Sequence, residues 1–239
     1  MNTNIKKICV ANFSGGTGKT QIVSNVLSPR MPEALIISVE TINETAEAAA
    51  GIEVEQIRGS KFRSIISKVM DADSVILDVG ASNVESFLDG LKNFDGGCEE
   101  FDLFLIPVTS GTKEQREAIL MLELLAELGV PKEKVHLIFN KVGDNVGEEF
   151  GRVISHIKKT DSATFDVECA IPENELFDLI SARKTTVSSI ISDETDYRTK
   201  MREEVDPVKR AQYKDNYILH SLAVNVNKNL NKVFELLAA

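Results

Sequence analysis

The chain has 239 residues, 43% of them hydrophobic, with 27 Lys+Arg against 37 Asp+Glu and a formal net charge of −10. That length supplies one α/β core with an appendage and falls short of two full domains. A strongly acidic chain is not one that coats DNA with its whole surface, so direct DNA binding is expected to be weak.

The apolar run Lys7 to Phe13 reads as a first strand, and it leads into Ser14-Gly15-Gly16-Thr17-Gly18-Lys19-Thr20. A strand that ends in a glycine-rich turn and opens a helix brings successive N–H groups and a helix N-terminus to one point, where a polyphosphate can sit. The glycines let the backbone bend around phosphates, Lys19 carries a compact cation to the terminal phosphates, and Thr20 offers a hydroxyl to Mg²⁺. Ser14, Gly15, Gly16, Thr17, Gly18, Lys19, Thr20 and Gln21 are the expected cradle, and ATP or ADP with Mg²⁺ the expected ligand. The general P-loop pattern has a glycine five residues before Gly18; here that residue is Phe13.

The second strand, Ala34 to Val39, is followed by Glu40, and the third, Ser74 to Val79, carries Asp78 with Gly80 behind it. A nucleotide hydrolase needs carboxylates beside Mg²⁺ and the attacking water. Asp78 is therefore a candidate Mg²⁺ holder together with Thr20, and Lys19, Glu40 and Asp78 are the candidate catalytic set. Glu40 reads equally well as a solvated loop residue.

Helical periodicity follows at Asn83 to Leu91 and at Thr112 to Leu128, around a fourth strand at Phe101 to Val108. A fifth strand, Val135 to Phe139, ends at Asn140-Lys141, and a sixth, Phe165 to Ala170, ends at Ile171-Pro172-Glu173. Asn140, Lys141, Pro172 and Glu173 are candidate base contacts, with ordinary strand-to-helix turns as the alternative. Asn140-Lys141-Val142-Gly143-Asp144 approaches the guanine-reading Asn-Lys-x-Asp, but its aspartate falls one residue late, so ATP is preferred to GTP.

Near-continuous apolar strands alternating with amphipathic helices require a mostly parallel, doubly wound α/β sheet covered on both faces. Residues 1–182 form the expected nucleotide-binding domain and 183–239 a charged helical extension packed on it. The extension holds ten Lys+Arg against eight Asp+Glu. Ser192 to Asp215, interrupted by Pro207, reads as exposed helix or flexible arm. His220 to Ala239 places Leu222, Val226, Leu230, Val233, Phe234 and Leu237 on one side of a helix. Docking on the domain is favoured over a membrane-surface helix because its polar side has few lysines. Cys9, Cys98 and Cys169 lack metal-binding spacing and read as reduced thiols. No apolar run reaches the roughly 18 residues of a membrane span, and a cytoplasmic protein is the expectation.

With the loop, Leu27 to Pro32, Val39 to Asn43, Asp78-Val79-Gly80-Ala81-Ser82-Asn83-Val84-Glu85 and Phe139-Asn140-Lys141-Val142 in order, the chain resembles the StbB family of plasmid-stability proteins, within the ParA/MinD superfamily. The resemblance covers roughly residues 6 to 180. It implies a P-loop ATPase-like fold and a role in plasmid maintenance, positioning or conjugative transfer beside a small DNA-binding partner, with a possible nucleotide-dependent homodimer. It also implies that Asn140 hydrogen-bonds the purine, that the Lys141 stem stacks on it, and that Glu40 stands where relatives orient the attacking water. The superfamily's variant loop, Lys-Gly-Gly-x-Gly-Lys-Thr, departs here at its signature lysine, which is Ser14; slow hydrolysis is the consequence. Arg30, Lys113 and Arg116 are candidates to replace that cation.

Overall fold

A computed structural model describes residues 5–40 and 54–238. Seven parallel strands, β1 (Lys7–Ala11), β2 (Leu35–Val39), β3 (Glu55–Ile57), β4 (Val75–Val79), β5 (Leu103–Val108), β6 (Val135–Val142) and β7 (Ala170–Pro172), lie in the order β3-β2-β4-β1-β5-β6-β7. The expected doubly wound sheet is present. Its central strands are buried on both faces, which is why β4 and β5 read as near-continuous apolar runs, broken in β4 only by Asp78.

Alternation sorts those runs into two cores. Cys9 and Ala11 of β1 face a layer made by α2 (Phe62–Asp71), α3 (Val84–Lys92), α4 (Thr112–Glu127), α5 (Val146–Glu149) and α6 (Gly151–Thr160). Ile8 and Val10 face the other layer, made by α1 (Lys19–Ile22), α7 (Leu176–Ala182), α8 (Val187–Ile191) and α10 (Pro207–Leu237), with α9 (Tyr197–Glu203) packed on α10.

Three local features differ from the sequence expectations. The edge strand β3 is short and polar, so nothing in the sequence marks it, and α2, with Ile65, Ile66 and Val69 buried along one face, adds a helix to those read from periodicity. The last strand begins at Ala170 rather than Phe165, because residues 165–169 turn before pairing starts and only Thr164 bridges to His136. Pro207 does not interrupt a helix but opens one: it occupies the first turn of the 31-residue α10, whose N-terminus is capped by the Asp206 carboxylate accepting from the Val208 amide. The favoured docking of the C-terminal helix is observed, with Leu219, Ala223, Val226, Leu230, Val233 and Leu237 buried. No helix among the described residues is long and apolar enough to cross a membrane.

The helix behind the loop changes pitch twice. After α1 it widens into a π-turn over Val23–Leu27 and tightens into a 3₁₀ turn over Ser28–Arg30. Pro29 has no N–H for the Asn25 carbonyl. The Arg30 guanidinium takes that place, donating to the carbonyls of Asn25 and Val26, each at 2.8 Å.

Candidate functional site

The carboxyl ends of β1, β4 and β2 are adjacent, with Val10 beside Asp78 and Asp78 beside Ser38. The loop from Asn12 to Lys19 therefore rises directly next to Asp78. Gly16 and Gly18 hold φ of 74° and 87°, which L-residues rarely adopt. At Gly18 space is also decisive: a Cβ there would lie 2.1 Å from Asn140 Nδ2.

The loop is tied down by its neighbours. Asn12, fully buried, donates through Nδ2 to the Pro107 carbonyl at 2.7 Å, and its Oδ1 accepts from the Ser14 N–H at 3.1 Å. Pro107 lies beyond the stretch of β5 that pairs with β1, so the Asn12 side chain bridges the two strands where backbone pairing has ended. Asn140 Nδ2 donates to the Thr17 carbonyl at 2.9 Å, locking the far side.

Within this frame Lys19 is buried, and its amine donates to the carbonyls of Ser14 at 2.8 Å and Asn12 at 3.1 Å. Burial lowers its pKa against the opposing pull of Asp78, Glu40 and Glu117. Thr20 donates its hydroxyl to Asp78 Oδ2 at 2.8 Å. Asp78 is only 4% exposed, and burial raises its pKa although Thr20 and Lys19 both favour the carboxylate. Its second oxygen, Oδ1, is buried without a hydrogen-bond partner. An alcohol and a carboxylate with one unsatisfied oxygen suit a hard divalent cation with its waters, so the donor set fits Mg²⁺.

Glu40 joins the same cluster. Its carboxylate lies over Gly80, where an added Cβ would meet both oxygens at 2.5 Å, and its field reaches Lys19. Thr41 to Asn43, which accompany it in sequence, lie outside the described residues.

A cavity of about 320 Å³ opens beside Gly16 and Gly18. The candidate base contacts Asn140, Lys141 and Glu173 line it together with Gln21 of the candidate cradle, and so do Phe177 of α7 and Leu230 of α10. Pro172 is not among its lining residues; strand alternation turns Ile171 toward the cavity and leaves Pro172 exposed. Lys141 sits in a β-bulge with φ of 54°, which carries the chain past the cavity mouth. Asp144 does not line the cavity: its N–H, with those of Gly143 and Asn145, donates to the Glu149 carboxylate.

The cation candidates fare differently. Arg30 is spent on Asn25, Val26, Asn227 and Asn231, and Lys113 lies 3.8 Å from Glu117. Ser14 itself is 2% exposed, its side chain inside the loop rather than on the surface. Sequence reading missed Asn12, Phe177 and Leu230. Asn12 was detectable as a turn-forming residue directly after a strand; the other two are apolar residues of helical stripes, indistinguishable from core by pattern.

No protein-family model matches the chain, and no curated protein matches it in sequence. Solved structures match in shape. The cell division ATPase MinD of Pyrococcus furiosus superposes with a TM-score of 0.53 at 12% identity, covering 96% of this chain and 100% of that one. Apo McdA of Cyanothece gives 0.52 at 16% identity, covering 77% and 92%. A protein described as a plasmid partition protein of Borrelia burgdorferi, bound to AMPPNP, gives 0.50 at 12% identity, covering 90% and 98%. The chain thus has the fold of the ParA/MinD-type P-loop ATPases.

Proposed function

We propose that this protein binds ATP and Mg²⁺ in the loop from Ser14 to Gln21 and acts as a nucleotide-dependent switch in plasmid stability, segregation or transfer, in the cytoplasm, together with a small DNA-binding adaptor. The observation that carries the nucleotide reading is the cluster of Lys19, Thr20 and Asp78 beside a glycine loop whose Gly16 and Gly18 line an open cavity. Lys19 would leave the two loop carbonyls for the terminal phosphates, and Thr20 with Asp78 would hold Mg²⁺, which when bound neutralises charge on the β- and γ-oxygens. ATP is favoured over GTP because Asp144 is held away from the cavity through Glu149. The plasmid role follows from the StbB resemblance and is supported by the plasmid partition protein among the structural neighbours.

Hydrolysis is expected to be slow. The signature position holds a buried serine, so no cation from this position reaches the phosphates of a partner copy, where negative charge builds during transfer. Glu40, whose carboxylate lies over Gly80, would orient the attacking water. Assignment of residues 1–182 to the nucleotide domain and 183–239 to an extension belongs to the same proposal.

The test is calorimetric titration of ATP, ADP and GTP with and without Mg²⁺, with molecular size followed in each state. Binding that depends on Mg²⁺, prefers ATP and is lost in Lys19→Ala, with ATP-specific dimerisation, is the expected result. Full affinity in Lys19→Ala would overturn the proposal.

A further inference from the structure

We infer that the C-terminal helix α10 is part of the nucleotide site itself: Leu230 forms the floor of the base pocket, and Arg30 positions it. The inference rests on the nucleotide reading above and deepens it, since it assigns recognition of the base to an element outside the P-loop core.

The cavity has two chemical ends. Gly16 and Gly18 form its phosphate end, while Ile22, Val26, Ile171, Phe177 and Leu230 form an apolar wall that a planar base can cover. Leu230 comes from α10, some two hundred residues after the loop. Its side chain is buried at the base of that wall.

The helix that carries Leu230 is fixed to the helix that starts at the loop. Arg30 donates to Asn227 Oδ1 at 2.9 Å and to Asn231 Oδ1 at 2.6 and 3.0 Å. These two asparagines lie three residues before and one residue after Leu230, so the clamp brackets it. On the other side Asn229 Nδ2 donates to the Ala170 carbonyl of β7 at 3.0 Å, directly before Ile171 of the same wall. The guanidinium that takes up the Asn25 carbonyl left by Pro29 thus also sets the height of the pocket floor. Arg30 is a positioning residue, and Leu230 a binding residue.

The experiment compares two probes on the full chain, Mg-ATP and Mg-tripolyphosphate, because only the first has a base. In Leu230→Phe the added ring volume enters the cavity, and ATP affinity is expected to fall at least about tenfold, the scale on which apolar pockets reject misfitting groups, while tripolyphosphate affinity stays within about twofold. Arg30→Ala is expected to give the same split with a smaller loss. Retained tripolyphosphate binding certifies the fold. If Leu230→Phe loses both probes, Phe177→Ala, at a half-buried position of the same wall, takes over the test and is expected to show the split. Unchanged ATP affinity in Leu230→Phe, or equal losses of both probes in Phe177→Ala, would overturn the inference. A wild-type protein that binds neither probe would instead overturn the nucleotide reading.

Discussion

At the scale of single residues the site holds charge where burial opposes it. Burial raises the pKa of Asp78 and lowers that of Lys19, so both ions are held against the preference of their surroundings. For Asp78 the sign is definite. A native pKa above the unfolded value means that the folded state binds the proton more tightly, so stability falls as pH rises through the carboxylate range. Ionisation of the buried Asp78 side chain therefore costs stability. Asp78→Asn is therefore expected to melt higher than wild type without ligand and to lose the further rise in melting temperature that Mg-ATP gives the wild type; a lower melting temperature without ligand would contradict this. Gly18→Ala acts in the other direction. Its Cβ would strike Asn140 Nδ2, and its φ of 87° is strained for alanine at about 1–3 kcal/mol. Reduced stability together with at least tenfold weaker ATP binding is expected, measured by thermal melts and calorimetry; unchanged binding would show that the Asn140 to Thr17 bond is dispensable.

At the scale of elements, α9 and the first half of α10 form a hairpin that holds all three tyrosines of a chain without tryptophan. Tyr197 contacts Tyr213, Arg198 lies over Tyr217 at 5.3 Å, and Lys200 over Tyr213 at 5.8 Å. The Tyr197 hydroxyl donates to Asp193, whose pKa is held down at about 2 by the Thr195 and Tyr197 hydroxyls and the Thr195 amide. A depressed carboxylate pKa contributes stability that is present above the unfolded value of about 3.9 and lost as pH falls toward 2. Tyrosine fluorescence is expected to change across that window, and the change to disappear in Asp193→Asn. A pH response identical in the variant would remove Asp193 from this role. Sequence periodicity found the docked half of α10 through Leu222 to Leu237. For Ser192 to Asp215 it leaves exposed helix and flexible arm open, because charged residues flanking Pro207 imitate a break, when a proline in the first helical turn with an aspartate before it marks a beginning.

At the scale of the molecule, the candidate site draws on β1, β2, β4, β6, β7, α1, α7 and α10, which the sheet order brings to one edge. The doubly wound sheet was legible in its apolar strands, and the candidate phosphate loop stood out because strand, glycines, lysine and threonine are contiguous, as did Asp78 because a carboxylate ends a buried strand. Leu230 and Phe177 were illegible, since apolar side chains on a helix look alike whether they face core or ligand. Asn140 reads from sequence as a candidate base contact, whereas its amide holds the Thr17 carbonyl, a contact set by packing across 123 residues. The claim beneath all of this is that the loop after β1 takes a triphosphate with Lys19 and Thr20. A crystal structure with Mg²⁺ and a non-hydrolysable ATP analogue tests it most directly. The account predicts phosphates under the loop amides, with the Lys19 amine moved from the Ser14 and Asn12 carbonyls onto the terminal phosphate; Lys19 still bonded to both carbonyls at saturating analogue would contradict it.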